Sequence, residues 1–345
     1  MKVWMWPKYS ELNLYNNLLT DSLCGAGIEV MDLTHGRLAL RVARAKPGDV
    51  VHVHWMHHAY QNRNPLLFAA KSALLLTTLL VLKAKRVRLV WTLHNLYPHE
   101  VKYRRMERAM RTLICRFCSR LIVASEMAKL QAMAEFGVPA RKLTVVKHGH
   151  YADAYQSNGT NFRSRYGIGE DAEVYLFLGA IKAYKGVEEL IEAYRAVKTD
   201  NSSLIIAGKA DREMEAYLRS AKDTANLVLD LRFIPNEEVA DLIGAADVMV
   251  MPYKEITTSG SAILGLSFRK LIVMPDNGFI DEYFEEDMVV RYDPGVSGGL
   301  AVAMAAAMRS VKEGRSPDYD RALRELEWGA IAERIKNVYQ GRDER

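Results

Sequence analysis

Residues 174–194 read VYLFLGAIKAYKGVEELIEAY, and this stretch decides the fold. Residues 174–178 form an unbroken apolar and aromatic run of strand length, as in a strand covered on both faces. Gly179 ends the run and lets the backbone come close to a ligand. A helix is then expected over 187–198. Strand, glycine turn and helix in this order are the repeating unit of a parallel α/β sheet.

The same rhythm extends in both directions. Downstream, strands are expected at 204–207, 227–231, 248–251 and 271–274, with helices near 211–223, 237–245, 260–268 and 298–312. Upstream, strands are expected at 3–6, 28–31, 50–54, 89–93, 121–124 and 143–146, with helices near 65–82, 101–118 and 126–136. Ser10 is placed to cap a first helix whose inner face is Tyr15, Leu18, Leu19 and Leu23. Residues 151–170 are polar and lack periodicity, which reads as a linker. The expected architecture is therefore α/β: two Rossmann-like, doubly wound domains facing across a cleft. Their bounds are 1–155 and 165–325, with a C-terminal helix at about 328–342 packing back on the first domain.

The composition agrees with two globular domains. The chain has 345 residues, 49% apolar and 26% charged, enough for two sizeable cores. Residues 1–10 have no apolar leader pattern, and three cysteines fit a reducing compartment, so the expected location is cytoplasmic. Cys115 and Cys118 form a lone CxxC inside a helical stretch, without the second ligand pair of a zinc site.

Charge is divided unevenly. Residues 1–165 carry 25 basic against 10 acidic residues, and the remainder 22 against 32. Lys83, Lys85, Arg86 and Arg88 form one basic cluster. Lys102, Arg104, Arg105, Arg108, Arg111, Arg116 and Arg120 form another. Both lie near the apolar run 72–82 (SALLLTTLLVL), which at 11 residues is too short to span a bilayer. That run reads first as a buried helix and second as an interfacial one. The basic half suits a polyanion, and an anionic membrane surface is the expected partner, peripheral on the inner face of the plasma membrane. A nucleic-acid or membrane-binding protein without activity is the rival from a non-enzyme class. It would explain the charge but not the chemistry-bearing loops.

Those loops follow the strands, where open α/β sheets bind ligands. After residue 178 come Gly179, Lys182 and Lys185 at the start of a helix, and lysines beside a helix N-terminus suit a diphosphate. After residue 251 comes PYKEITTSGSA, where Thr258, Ser259, Gly260 and Ser261 open a second helix. They can cradle phosphate oxygens or simply cap the helix. In the first half, three strand ends carry histidines: His57 and His58, His94 and His99 with Glu100, and His148 with His150. Histidine can act as acid or base near neutral pH, or orient hydroxyl groups. A zinc site is the competing reading, but no HExxH spacing exists.

At these residues the chain resembles the GT-B-fold glycosyltransferases. More narrowly, VHVHW (51–55), WTLHNLYPHE (91–100), HGHY (148–151), YKGVEELI (184–191) and PYKEITTSGSAILGLSF (252–268) are similar to the xanthan-type GDP-mannose:glycolipid 4-β-mannosyltransferases. AADVMVMPY (245–253) is shared with the wider retaining group. The resemblance runs from about residue 3 to 340. It implies an inverting enzyme that acts on polyprenyl-diphosphate-linked or other glycan acceptors in exopolysaccharide synthesis. It places the acceptor on the first domain and the nucleotide sugar on the second. Lys182 and Lys185 would meet the diphosphate, helped by Ser259, Gly260 and Ser261, with His148 also assigned to the donor. The wider pattern has an arginine directly after Gly179; here Ala180 stands there and Lys182 is its substitute. The wider pattern also has two glutamates, which align with Ile256 and Leu264; Glu282 is the substitute candidate for the ribose contact.

The expected reaction is a metal-independent single displacement at the anomeric carbon. Glu100 or His94 is the expected base, backed by His57 and His58. A retaining transferase using a UDP-sugar stands as the alternative, with a sugar-nucleotide epimerase or phosphorylase as a rival enzyme class. No cofactor beyond the donor substrate and no nucleic acid is expected.

Overall fold

The structure, a computed structural model, describes every residue except 11–12, 34–41, 43, 99–100, 255–258, 316 and 343–345. It divides into two compact units. One comprises Met1–Gly149 with Leu326–Arg345, the other His150–Glu325.

In the first unit, β1 (Lys2–Trp6), β2 (Glu29–Asp32), β3 (Val50–Val53), β4 (Arg88–Thr92), β5 (Arg120–Val123) and β6 (Leu143–Val145) make one parallel sheet. Its order is β2-β1-β3-β4-β5-β6. The two-residue period of a strand sorts side chains to opposite faces. Val3, Met5, Val50, Val90 and Ile122 meet α1 (Leu14–Gly25) and the C-terminal helix Trp328–Gln340. Trp4, Val51, Val53, Leu89, Trp91, Leu121 and Val123 meet α2 (Pro65–Ala84), α3 (Arg104–Phe117) and α4 (Glu126–Phe136). Each fully buried side chain of this size contributes roughly 1.5–3 kcal/mol.

The cap of α1 is Asn13, whose side chain accepts from the Tyr15 N–H at 3.0 Å. Ser10, the expected cap, instead gives its N–H to Asn17 Oδ1 at 2.8 Å. Tyr15, Leu19 and Leu23 are buried as their spacing requires. The apolar run 72–82 sits within the 20-residue α2, which starts at the Asn64 cap and Pro65. Phe68, Leu75, Leu79 and Leu82 enter the core, but Leu66, Leu67, Leu74, Leu80 and Val81 stay exposed. The expectation of a buried helix holds for one face only. Cys115 and Cys118 are buried, and burial pushes the Cys115 thiol up to about 12 and the Cys118 thiol well above its usual range.

In the second unit, β7 (Glu173–Leu178), β8 (Ser202–Ala207), β9 (Leu227–Asp230), β10 (Val248–Val250), β11 (Leu271–Pro275) and β12 (Val289–Tyr292) form a parallel sheet of order β12-β11-β10-β7-β8-β9. The helices are α5 (Phe162–Tyr166), α6 (Val187–Val197), α7 (Arg212–Ser220), α8 (Asn236–Gly244), α9 (Gly260–Ser267), α10 (Gly278–Tyr283), α11 (Gly299–Lys312) and α12 (Tyr319–Glu325). β12 is a sixth strand beyond the five expected; Arg291 interrupts its run, VVRY, so it does not stand out as an apolar strand. The segment 151–170 is tied down instead of serving as a free linker. Asp241 accepts from Ser157 Oγ and from the N–H groups of Asn158 and Thr160, and α5 follows. Its polarity serves these hydrogen bonds.

Candidate active site

Ligands of open parallel sheets bind beyond the carboxyl ends of the strands where the strand order reverses. In the second unit that point lies between β7 and β10, and the loops leaving these two strands border it. Two glycines press neighbouring loops together. A Cβ on Gly208 (φ +138°) would stand 1.9 Å from the Gly179 carbonyl oxygen, and one on Gly186 (φ +68°) 2.0 Å from that of Pro252. Only glycine fits at either position. The loops after β7, β8 and β10 therefore meet backbone to backbone. Lys254 N–H donates to Tyr184 O at 3.0 Å across the same junction.

Ser261 Oγ lies 3.4 Å from where a Cβ on Gly179 would stand, so both expected phosphate loops reach one place. Ser259 caps α9, its Oγ accepting from Ala262 N–H at 3.1 Å. That leaves the first-turn N–H groups of Gly260 and Ser261, and the Ser261 hydroxyl, as the donors this helix start offers an anion. Lys182 is extended and half-buried before the turn Ala183–Lys185. The Lys185 ammonium sits 3.5 Å above the Tyr253 ring. Tyr253 is itself buried, and its hydroxyl has no hydrogen-bond partner among the described residues. Thr258 lies outside the described residues. Glu282 stands half-buried in α10, after β11, one strand out from β10.

Lys209 was not among the expected donor residues. A bridge pairs Ile181 with Ala210, and Ile181 N–H donates to Lys209 O at 3.0 Å. This sets the Lys209 backbone beside that of Lys182. Lys209 is exposed and has no ion-pair partner among the described residues. The readable signal was its place directly after LIIAG (204–208), the place Ala180 takes after β7 and Gly179.

In the first unit the order reverses between β1 and β3. His54 follows β3, and its Nδ1 lies 3.1 Å from Nε2 of His94, beyond β4. Tyr15 of α1 packs against the rings of His54, His94 and His148, with centroids 5.8, 5.0 and 4.6 Å away. Trp55 stacks on His94 at 5.0 Å. Thus His94 and His148, expected from separate loops, meet at Tyr15 within the first unit. His52, His54 and Tyr15 were not among the expected site residues: VHVHW was read as a strand and as part of the family resemblance, and Tyr15 as part of a helix's inner face. His52 is bonded to Tyr339 Oη at 2.6 Å and Thr92 Oγ1 at 2.8 Å. His57 and His58 sit on the turn Met56–Ala59, their rings 4.2 Å apart. His57 lines a small pocket with His54, Trp55 and His94, whereas His58 faces a groove of about 620 Å³ shared with Arg63, Lys102 and Tyr103. Glu100 and His99 lie outside the described residues.

Burial controls the charge of this cluster. It pushes His52 and His94 down to about 3, His148 down to about 4 and His54 well below its usual range. Neighbouring imidazoles add to the effect at His54 and His94. At neutral pH these rings are uncharged and can donate or accept hydrogen bonds, but they are weak bases.

The loop bearing His94 has its own support. Arg111 donates to Asn95 O at 3.1 Å and pairs with Glu107 at 2.8 Å, both side chains almost fully buried. Tyr60 Oη donates to Glu107 at 2.5 Å. Arg111 therefore leaves the expected basic surface and becomes an interior strut. Among the described residues no group of three or more His, Cys, Asp or Glu side chains is placed to hold a metal ion.

Comparison with known proteins bears on the family and the fold. A family model for glycosyl transferases group 1 matches residues 159–292, and one for glycosyltransferase family 4 matches residues 23–151. The GDP-mannose:glycolipid 4-β-D-mannosyltransferase of Xanthomonas campestris pv. campestris is 28% identical over 308 residues, covering 87% of this chain and 82% of that protein. Anabaena HepE, solved in complex with UDP and glucose, is similar in fold with a TM-score of 0.73 at 17% identity, covering 99% of each chain. Sucrose-phosphate synthase from Thermosynechococcus elongatus gives 0.73 at 16% identity, covering 99% of this chain and 95% of that one. The chain is a GT-B-fold glycosyltransferase, built from a family 4 domain followed by a group 1 domain.

Proposed function

We propose that the protein transfers mannose from GDP-mannose to a lipid-linked glycan on the cytoplasmic side of the membrane, with inversion at the anomeric carbon. The observation that carries the donor half is the meeting of two phosphate-suited loops at the β7/β10 reversal, with Ser261 Oγ beside Gly179. The choice of GDP-mannose and of a glycolipid follows the activity named for the Xanthomonas relative.

In this scheme Lys182, Lys185, Lys209 and the Gly260 and Ser261 N–H groups hold the diphosphate, and Glu282 takes the ribose. As the bond from the anomeric carbon to the diphosphate oxygen breaks, charge grows on the leaving group where these donors stand. The acceptor oxygen forms the new bond and its proton passes to a base on the first unit. Glu100 is the base. The weak basicity of His94 suits it, with His57 and His58, to orienting sugar hydroxyls. The ammonium groups supply the charge the leaving group needs, so the scheme calls for no metal ion.

A thermal-shift panel of GDP, UDP, dTDP and ADP tests the donor, since a ligand bound to the folded state stabilises it by mass action. GDP is expected to raise the melting temperature most, and GDP-mannose with a lipid-linked acceptor to give a β-linked product. A dominant shift with UDP, or an α-linked product, overturns the reading in favour of a retaining UDP-sugar enzyme.

A further inference from the structure

The strongest unused feature of the surface is the outer side of α2. A helix that is apolar all round belongs in a core or in lipid, yet α2 is covered on one side only. Phe68, Leu75, Leu79 and Leu82 are core residues. On the other side Leu66 is 79% exposed, Leu74 62% and Leu80 55%. With Ala70, Ala73, Thr77 and Ala84, also exposed, they follow helical spacing and make one apolar stripe along 20 residues. An exposed stripe of this length on a folded unit marks a contact surface.

The charges around it say what the contact is. Lys71 and Lys83 flank the stripe and are exposed. α3 runs alongside, with Tyr103 at its start against Phe68 and Phe117 at its end beneath the Lys83 ammonium. Arg104, Arg105, Arg108 and Arg116 are exposed on α3. A second copy of this chain would bring one positive rim against another, a repulsive pairing in a two-fold interface. Anionic lipid headgroups complement the rim, and their acyl chains complement the stripe. The helix is long and apolar enough to cross a bilayer, but spanning would pull its inner leucines out of the core.

We propose that α2 lies in the interface of an anionic bilayer, its outer leucines immersed and the arginines of α3 on the headgroups. The inference stands on this surface alone and goes beyond the choice of donor and acceptor.

The test is co-sedimentation of the full chain with vesicles of phosphatidylcholine, alone or mixed with phosphatidylglycerol, without acceptor. Wild type is expected to bind the anionic vesicles about tenfold or more tightly than the neutral ones. Leu66→Ser/Leu74→Ser/Leu80→Ser is expected to weaken that binding by about tenfold or more. Arg105→Glu/Arg116→Glu is expected to remove the preference for anionic lipid. Leu74→Trp reads the face directly, its emission shifting to the blue with anionic vesicles. The melting temperature and its shift with nucleotide check that each variant is folded. Binding by the folded triple-serine variant equal to wild type overturns the proposal. So does a wild-type dimer that the triple-serine variant converts to monomer, with no vesicle binding by either.

Discussion

Nδ1 of His54 lies 3.1 Å from Nε2 of His94, so one ring must donate and the other accept. The pair therefore cannot carry two charges. With His52 and His148 it forms a set of buried imidazoles that the fold keeps neutral. In the unfolded chain the same residues return to about 6.5. As pH falls below that value the unfolded state binds protons that the folded state refuses, so stability drops with falling pH. The window runs from about pH 6.5 down to about 3–4, the folded values. Each histidine adds a slope of up to about 1.4 kcal/mol per pH unit. Urea melts at pH 7.5, 6.0 and 5.0 are expected to show this loss. His52→Gln/His54→Gln should flatten the dependence while lowering stability at pH 7.5. An unchanged slope in that variant would falsify the assignment.

Glu107 and Arg111 form a buried pair that also holds the Asn95 carbonyl. Truncating one member leaves the other charge buried and alone, which costs about 3–5 kcal/mol. Glu107→Ala is expected to unfold at correspondingly lower denaturant. Replacing both charges, as in Glu107→Leu/Arg111→Met, should recover much of that stability. It should not recover turnover, because Asn95 O loses its donor and the His94 loop its strut. A double variant with full activity would show that the pair serves stability alone.

Lys209 gives the sharpest test of the donor site. The sequence departs from the wider glycosyltransferase pattern at Ala180, and the Ile181–Ala210 bridge brings a different cation to the same loop. A hydrogen bond to a charged group contributes about 1.5–3 kcal/mol. Lys209→Ala is thus expected to lower kcat/KM for the donor by about ten- to hundredfold, leaving KM for the acceptor within about twofold. Lys209→Arg should restore most of the loss. Isothermal titration with GDP checks the binding part, and unaltered affinity in Lys209→Ala would remove the residue from the site.

Most of the architecture could be read from period and punctuation. The runs at 50–54 and 174–178 had strand length, and the Gly179 and Gly186 breaks lay where the turns are. What could not be read was which strands are neighbours. The reversal between β7 and β10 is a property of order in space, and only with it do Gly179, Lys209 and Ser261 share one corner. The histidines show the same limit. VHVHW displayed a strand, but not that His54 closes onto His94 or that Tyr15 from the first helix packs against both rings. α2 misled for another reason. Composition alone cannot tell an apolar helix covered on both sides from one covered on one side.

Glu100 and His94 are the two expected bases, and their variants should behave differently. A group pushed down to about 3, as His94 is, takes a hydroxyl proton poorly, because general-base efficiency falls as its pKa drops away from the working pH. A free glutamate carboxylate lies at about 4.3, above that value, and its negative charge favours taking up a proton. Glu100→Gln keeps size and hydrogen bonding but removes the base, and is expected to cut kcat by about 10² or more with KM for GDP-mannose nearly unchanged. His94→Gln keeps a donor and an acceptor near His54 and is expected to lose no more than about tenfold, chiefly in KM for the acceptor. The acid limb of the kcat profile separates the two further: it should persist in His94→Gln and vanish from the residual activity of Glu100→Gln. If Glu100→Gln and His94→Ala both turn over within a few-fold of wild type, neither is the base, and His57 and His58 are next in line.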